Sequence, residues 1–421
     1  MLPIQTKLAS GELDGSLKRL YGAAYESQKS KYAALAVAFE DVFGAKEDAS
    51  LFSAPGRSEI GGNHTDHQLG RVLAAAVTLD TRAVVAPRSD NVVRIHSQGY
   101  TPLCVSLENL APNAGEENAS EALVRGIAER FLQTGWNIGG FDAVTASDVP
   151  KGSGLSSSAA FSVLVATIFS ELYNDGKISP VEQALASKYA ENKHFGKPSG
   201  LMDQLACAVG GLITIDFQQP EEPQIERIDC DLGSLGYAIC IVNCGGNHAD
   251  MTPEYAAITM EMGSVARFFG KTVLREVDEG VFYASLGELR KVVSDRALLR
   301  AMHFFGDNAR VPQQAAALRC GDIETFRQLM NESGRSSFTQ LQNVCPTDSR
   351  ERGLALALAI SERVLGTGGA WRVHGGGFAG TIQALVPLDR AEAYQFELER
   401  VFGAGCCYRF AVRPVGGVRI R

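Results

Sequence analysis

The chain reads as an α+β protein built from two domains, and three observations predict this. Its 421 residues, 45% hydrophobic and 21% charged, are ordinary globular material, enough for about two or three domains. Runs with helix and strand periods follow one another without a strict strand–helix–strand rhythm, which favours α+β over a doubly wound parallel sheet. The polar stretch Gln218-Gln219-Pro220-Glu221-Glu222-Pro223 parts the two halves. It predicts one domain over 1–217 and a second over 224–421.

The elements follow in order. Leu17, Leu20, Ala23 and Ala24, then Ala33, Leu35, Ala38 and Phe39, recur at helical spacing, so residues 6–44 predict helix, closed by Gly44. Residues 72–77, 83–86 and 92–96 read as strands, with a turn over 87–91. An amphipathic helix fits 120–134. A strand over 141–146 then delivers a Gly-Ser loop, and a helix begins near Ser156. Pro180 sits well in the first turn of a helix over 180–194. Residues 211–216 and 237–243 are strands. In the second half, helices are expected over 254–269, 285–292, 296–306, 308–319, 322–332 and 348–363, with strands over 370–374, 381–386 and 408–411.

Charge and cysteine usage exclude several classes. The formal net charge is −8 and no dense Lys/Arg tract occurs, which argues against nucleic acid and against an anionic membrane surface. No run of about 18 apolar residues predicts a membrane span. The opening residues lack the apolar stretch of a secretory signal, so a cytoplasmic location is expected. The nine cysteines form no C-x-x-C pair and read as reduced, mostly buried thiols.

Four clusters carry chemistry. The first is Pro150-Lys151-Gly152-Ser153-Gly154-Leu155-Ser156-Ser157-Ser158-Ala159-Ala160. Glycines allow close approach of the backbone, and free N–H groups at a helix start suit a polyphosphate; the same run also fits a flexible loop. It matches neither a Walker A loop nor a G-x-G-x-x-G fingerprint. The second, Ala54-Pro55-Gly56-Arg57-Ser58-Glu59-Ile60-Gly61-Gly62-Asn63-His64-Thr65-Asp66-His67, offers the mixed donors and acceptors that a polyol needs. The third, Gly196-Lys197-Pro198-Ser199-Gly200-Leu201-Met202-Asp203-Gln204, places a carboxylate ahead of an apolar helix, as a base or as a helix cap. The fourth, His374-Gly375-Gly376-Gly377-Phe378-Ala379-Gly380, lies between two strands, where glycines permit a close ligand or a tight turn.

In this order the four clusters resemble those of the GHMP sugar and metabolite kinases, and within them the galactokinases. The resemblance covers about residue 50 to the end. It implies a two-domain GHMP kinase fold, with the active site in the cleft between a mixed N-terminal domain and a ferredoxin-like α+β C-terminal domain. It implies transfer of the γ-phosphoryl group of ATP, with Mg2+, to the anomeric hydroxyl of galactose. Asp203 would abstract or polarise that proton and Arg57 would support it. Gly152, Ser153, Gly154, Leu155, Ser156, Ser157 and Ser158 would wrap the phosphates, and Ser158 and Glu191 would ligate magnesium. Asn63, His64, Asp66, Gly200 and Tyr255 would meet the sugar. The partners implied are a small sugar and ATP, and the chain is expected to be a monomer or weak homo-oligomer. Several positions depart from the pattern. Asn63 stands where the family carries Glu, Glu59 where it carries Asn, His67 in place of Tyr, and His374 in place of Thr. Galacturonate, another hexose derivative, or a silent sugar- and ATP-binding regulator are the alternatives.

Overall fold

The computed structural model describes residues 4–150, 154–197, 199–246, 251–346 and 350–421. The helices are α1 Ile4–Ser10, α2 Asp14–Tyr21, α3 Tyr25–Phe43, α4 Ser120–Gln133, α5 Ser157–Tyr173, α6 Pro180–Ala190, α7 Met202–Val209, α8 Thr252–Phe268, α9 Glu279–Ala284, α10 Leu286–Leu289, α11 Asp295–Arg319, α12 Ile323–Ser336, α13 Gly353–Leu365 and α14 Ala391–Phe402. The strands are β1 Ser50–Gly61, β2 Arg71–Pro87, β3 Val92–Ser97, β4 Leu103–Ser106, β5 Phe141–Ser147, β6 Leu212–Asp216, β7 Gln224–Ile228, β8 Tyr237–Asn243, β9 Ala370–Val373, β10 Thr381–Pro387, β11 Cys407–Phe410 and β12 Val418–Ile420.

The first sheet runs β12-β1-β2-β5-β3-β4, with β6 and β7 extending from the other half of the long strand β2. β3 and β5 are parallel, and the other pairs are antiparallel. Both faces are covered. Leu51, Val84, Ala86 and Val144 point to α1–α3, whereas Phe52, Ala54, Ala83, Val85 and Ala143 point to α4–α7. Adjacent residues thus feed opposite cores, as the two-residue period of a strand requires. The second sheet runs β11-β8-β10-β9, all antiparallel. With α14 linking β10 to β11 and a helical insertion (α8–α13) linking β8 to β9, this is the ferredoxin-like β-α-β-β-α-β order.

Several expectations change in three dimensions. Residues 218–223 are not a linker. They turn the β6–β7 hairpin inside the first sheet, and β12 returns from the C-terminal end to pair with β1. Two strands of the C-terminal half, β7 and β12, thus belong to the first sheet, and the division at 217/224 falls within that sheet. The helix expected over 6–44 is three helices, broken at Gly11 and Gly22, both with positive φ. The helices expected over 296–306 and 308–319 are one, α11, which carries Pro312 inside it. The start expected for α13 at 348 lies outside the described residues. Strand β1 has every residue buried, so its polar motif shows no alternation to mark it as a strand. No helix among the described residues is long and apolar enough to cross a membrane.

Candidate active site

Strand β1 carries the second cluster past the start of α5. Its pairing with β2 shifts register between Pro55 and Arg57, a bulge that brings the backbone against the phosphate loop. Gly56 is required there, because a Cβ would lie 2.8 Å from the Leu155 carbonyl oxygen. The next N–H, of Arg57, donates to that same oxygen at 3.1 Å. The Arg57 guanidinium also donates to the Gly154 carbonyl.

From the other side, Arg57 Nε and Nη2 both reach Asp203 Oδ1 at 2.7 Å. Ser156 Oγ donates to Asp203 Oδ2. Ser156 caps α5 in a left-handed conformation, φ 57°, which is costly for a residue with a side chain; its bond to Asp203 helps to hold it. Asp203 stands in the first turn of α7, with its carboxylate aimed at Arg57 and Ser156. Its side chain is 29% exposed. Burial raises its pKa, but the Arg57 charge and the Ser156 hydrogen bond outweigh burial and hold the carboxyl below the usual carboxylate range. Burial likewise opposes the charge on Arg57, and Asp203 more than restores it.

The sugar-side motif is anchored differently. Asn63 is fully buried, and its side-chain amide is completely used. Nδ2 donates to Glu59 Oε1 at 3.1 Å and to the Gly375 carbonyl at 2.7 Å. Oδ1 accepts from Asn343 Nδ2 at 2.9 Å and from Ser337 Oγ at 3.3 Å. Its backbone is held by α11: the N–H donates to Asp307 at 2.8 Å, and His303 Nε2 donates to its carbonyl at 2.9 Å. No hydrogen-bonding position on the Asn63 amide is left for a sugar, so the expected contact gives way to an anchoring one.

His64 Nε2 donates to the Gly376 carbonyl at 2.9 Å, which fixes its tautomer. Nδ1 then accepts from His67 Nε2 at 3.2 Å. Burial, with His64 and His303 nearby, lowers the His67 pKa to about 3. Tyr255 donates to the Gly377 carbonyl at 3.0 Å, and burial raises its pKa to about 12. Three consecutive carbonyls of the late glycine loop are therefore gripped by Asn63, His64 and Tyr255.

Asp66 and Gly200 stand together: a Cβ on Gly200 would lie 3.1 Å from Asp66 Oδ2. Burial raises the Asp66 pKa, the Asp203 charge adds to this, and His64 and backbone N–H groups oppose it. Ser157 and Ser158 open α5, directly after Ser156, the hydroxyl partner of Asp203. Glu191 begins a π-turn, Glu191–Phe195, after α6. Its Oε2 accepts from Ser199 Oγ, while its buried Oε1 has no hydrogen-bond partner among the described residues. Gly152 and Ser153, like Lys151, lie outside the described residues.

A carboxylate locked to a cation thus stands beside a helix N-terminus and close to a motif dense in polyol-binding groups. Residues 122–211 match the GHMP kinases N terminal domain. Residues 37–87 match the galactokinase galactose-binding signature. The fold is similar to that of Lactococcus lactis galactokinase complexed with galactose (24% identity, TM-score 0.78, covering 92% of this chain and 99% of that one). It is similar also to a D-glycero-D-manno-heptose 1-phosphate kinase from Bacteroides thetaiotaomicron (16%, 0.60, 88% and 98%) and to Methanococcus jannaschii mevalonate kinase (15%, 0.61, 88% and 100%).

Sequence reading missed His303, Asp307, Asn343 and Arg372. His303 and Asp307 are one helical turn apart on α11, a spacing that could have been noticed. Arg372 is a lone charge in a short strand running into glycines, which is also a signal. Asn343 gives none.

Proposed function

We propose that the chain is an ATP-dependent sugar-1-kinase that converts galactose and ATP to galactose 1-phosphate and ADP. The carrying observation is the closed Arg57–Asp203–Ser156 arrangement, which ties the acceptor-side carboxylate to the phosphate loop. The anomeric oxygen forms a bond to the γ-phosphorus as the bond to the bridging oxygen of ADP breaks, and the hydroxyl proton passes to Asp203 and on to solvent. A carboxylate held below its usual pKa is a weak base. Asp203 therefore acts mainly by orienting and polarising the hydroxyl, with proton transfer late, as suits a loose phosphoryl-transfer transition state.

Asp66 and the Gly200 backbone would meet the sugar, while Asn63, His64 and Tyr255 would hold the glycine loop that closes its pocket. The N–H groups opening α5, with Gly154, Leu155, Ser156 and Ser157, suit the phosphates. Ser158 and Glu191 would hold Mg2+: the unpartnered buried Glu191 Oε1 and a hydroxyl are hard oxygen donors that fit it. When bound, that ion would neutralise charge on the phosphate oxygens. The test is coupled ADP release with galactose, galacturonate, arabinose and N-acetylgalactosamine. Galactose is expected to turn over fastest. Preference for galacturonate would reassign the substrate, and turnover of none would defeat the reading.

A further inference from the structure

Strands β9 and β10 pair side by side, with Gln383 opposite Arg372 and Leu385 opposite Ala370. Alternate residues share a face, so Ala370, Arg372 and His374 line up beside Leu385, Gln383 and Thr381. One end of this face is apolar. Ala370 and Leu385 join Ile239, Ile241, Leu73 and Val77 in the core between the two sheets. Two residues further on the same face turns polar: Arg372, His374, Thr381 and Gln383 are each at most 1% exposed. Opposite them lies β1. Arg372 donates to Glu59 and, at 2.8 Å, to the Ile60 carbonyl. Gln383 Nε2 donates to Ser58 Oγ at 2.8 Å and to the Glu59 carbonyl at 3.0 Å. His374 hydrogen-bonds Ser58 Oγ through Nε2 at 3.1 Å and Thr381 Oγ1 through Nδ1 at 3.0 Å.

Stability alone does not account for this seam. A buried ion pair is often no better than well-packed apolar residues of similar size, and such residues already join the sheets a few ångströms away. Arg372 Nε and Gln383 Oε1 are moreover buried without a hydrogen-bond partner among the described residues, a further cost. What the seam does have is two outlets. One runs from Arg372 through Glu59 to the Asn63 amide, which holds the Gly375 carbonyl and precedes His64 and Asp66. The other runs from His374 to Ser58, next to Arg57, and to the back of the phosphate loop, where a Cβ on Gly154 would come within 2.9 Å of His374 Nδ1.

We propose that this polar seam is a two-armed positioning device: Arg372, acting through Glu59 and Asn63, sets the sugar side of the site, and His374, acting through Ser58 and Gly154, sets the phosphate side. It rests on the kinase reading above. Neither residue touches a reacting atom, so both are positioning residues.

The test is steady-state kinetics with sugar and ATP varied separately, alongside thermal melting. Glu59→Gln is expected to raise the sugar KM about tenfold while the ATP KM stays within about twofold, the pattern of lost binding on one side only. His374→Ala is expected to do the reverse, and His374→Gln, which keeps a donor and an acceptor, to recover most of the ATP KM. Should Glu59→Gln fold poorly, the double variant Glu59→Gln with Arg372→Met removes both charges together and is expected to fold and keep the sugar KM defect. Variants that shift both KM values together, or that lower Tm with KM unchanged, would overturn the proposal. If the unaltered protein turns over no sugar, the kinase reading fails on that result. Calorimetric binding of ATP to it and to His374→Ala then still decides the phosphate arm, and equal affinity would overturn that arm.

Discussion

The two ends of the face between the sheets do different work with the same backbone. At the apolar end, Ala370, Leu385, Ile239 and Ile241 meet Leu73 and Val77; at the polar end, Arg372, His374, Thr381 and Gln383 meet Ser58 and Glu59. Apolar packing is non-directional and proportional to area, so it holds the sheets together without choosing an orientation. Hydrogen bonds are directional and fail when a group moves by an ångström. The polar end is also the one beside Arg57, the phosphate loop and the glycine loop. Cohesion and orientation have been separated along a few residues of strand.

The largest expected effect lies where the polar end meets the chemistry. Asp203→Asn keeps the shape and much of the hydrogen bonding but removes the charge. Turnover is expected to fall by about 10³-fold, ~4 kcal/mol of transition-state stabilisation, with the melting temperature and ATP binding little changed. Near-normal turnover would remove Asp203 from the reaction. Next, Ile241→Ala at the apolar end is expected to cost about 3 kcal/mol in urea unfolding, the usual cost of a large-to-small change in a core. Both KM values should stay as they were; a selective KM change would show that the apolar end orients too.

The smallest effect is a pH dependence at the rim of the polar end. Burial and its histidine neighbours put the His67 pKa at about 3, against an ordinary 6.5. Between those values the unfolded chain binds a proton that the folded chain does not. Stability is therefore expected to fall as pH drops from 6.5 toward 3. Comparing urea midpoints at about pH 7 and 5, His67→Gln should lose less than the unaltered protein. Equal losses would mean that His67 titrates normally in the folded state.

Much of the reacting half was legible. The Gly-Ser run before an apolar helix, Arg57 in one cluster and Asp203 in another all carry their chemistry in residue type and spacing. The anchoring half was not. Asn63 stood out as a departure from the family pattern and was expected to face the sugar. Three of its four amide bonds and its grip by His303 and Asp307 depend on residues some 240 to 310 positions away. Glu59 was a second departure, and only the fold shows that it touches Asn63 and that Arg372 balances it. The pair of departures thus keeps one carboxylate and one amide in contact.

By itself the sequence determined the α+β class and most of the helices, and it singled out the residues proposed for phosphate binding and for the carboxylate's role, because periodicity and short motifs are local properties. The tertiary structure decided that 218–223 is a hairpin turn, that β12 pairs with β1 at the edge of the first sheet, and that two glycine carbonyls are held by the sugar motif and a third by Tyr255. It also decided that one strand face passes from apolar packing to buried polar contacts. Those outcomes depend on long-range pairing and on which polar groups must find partners once water is excluded, and neither is written in any one stretch of the chain.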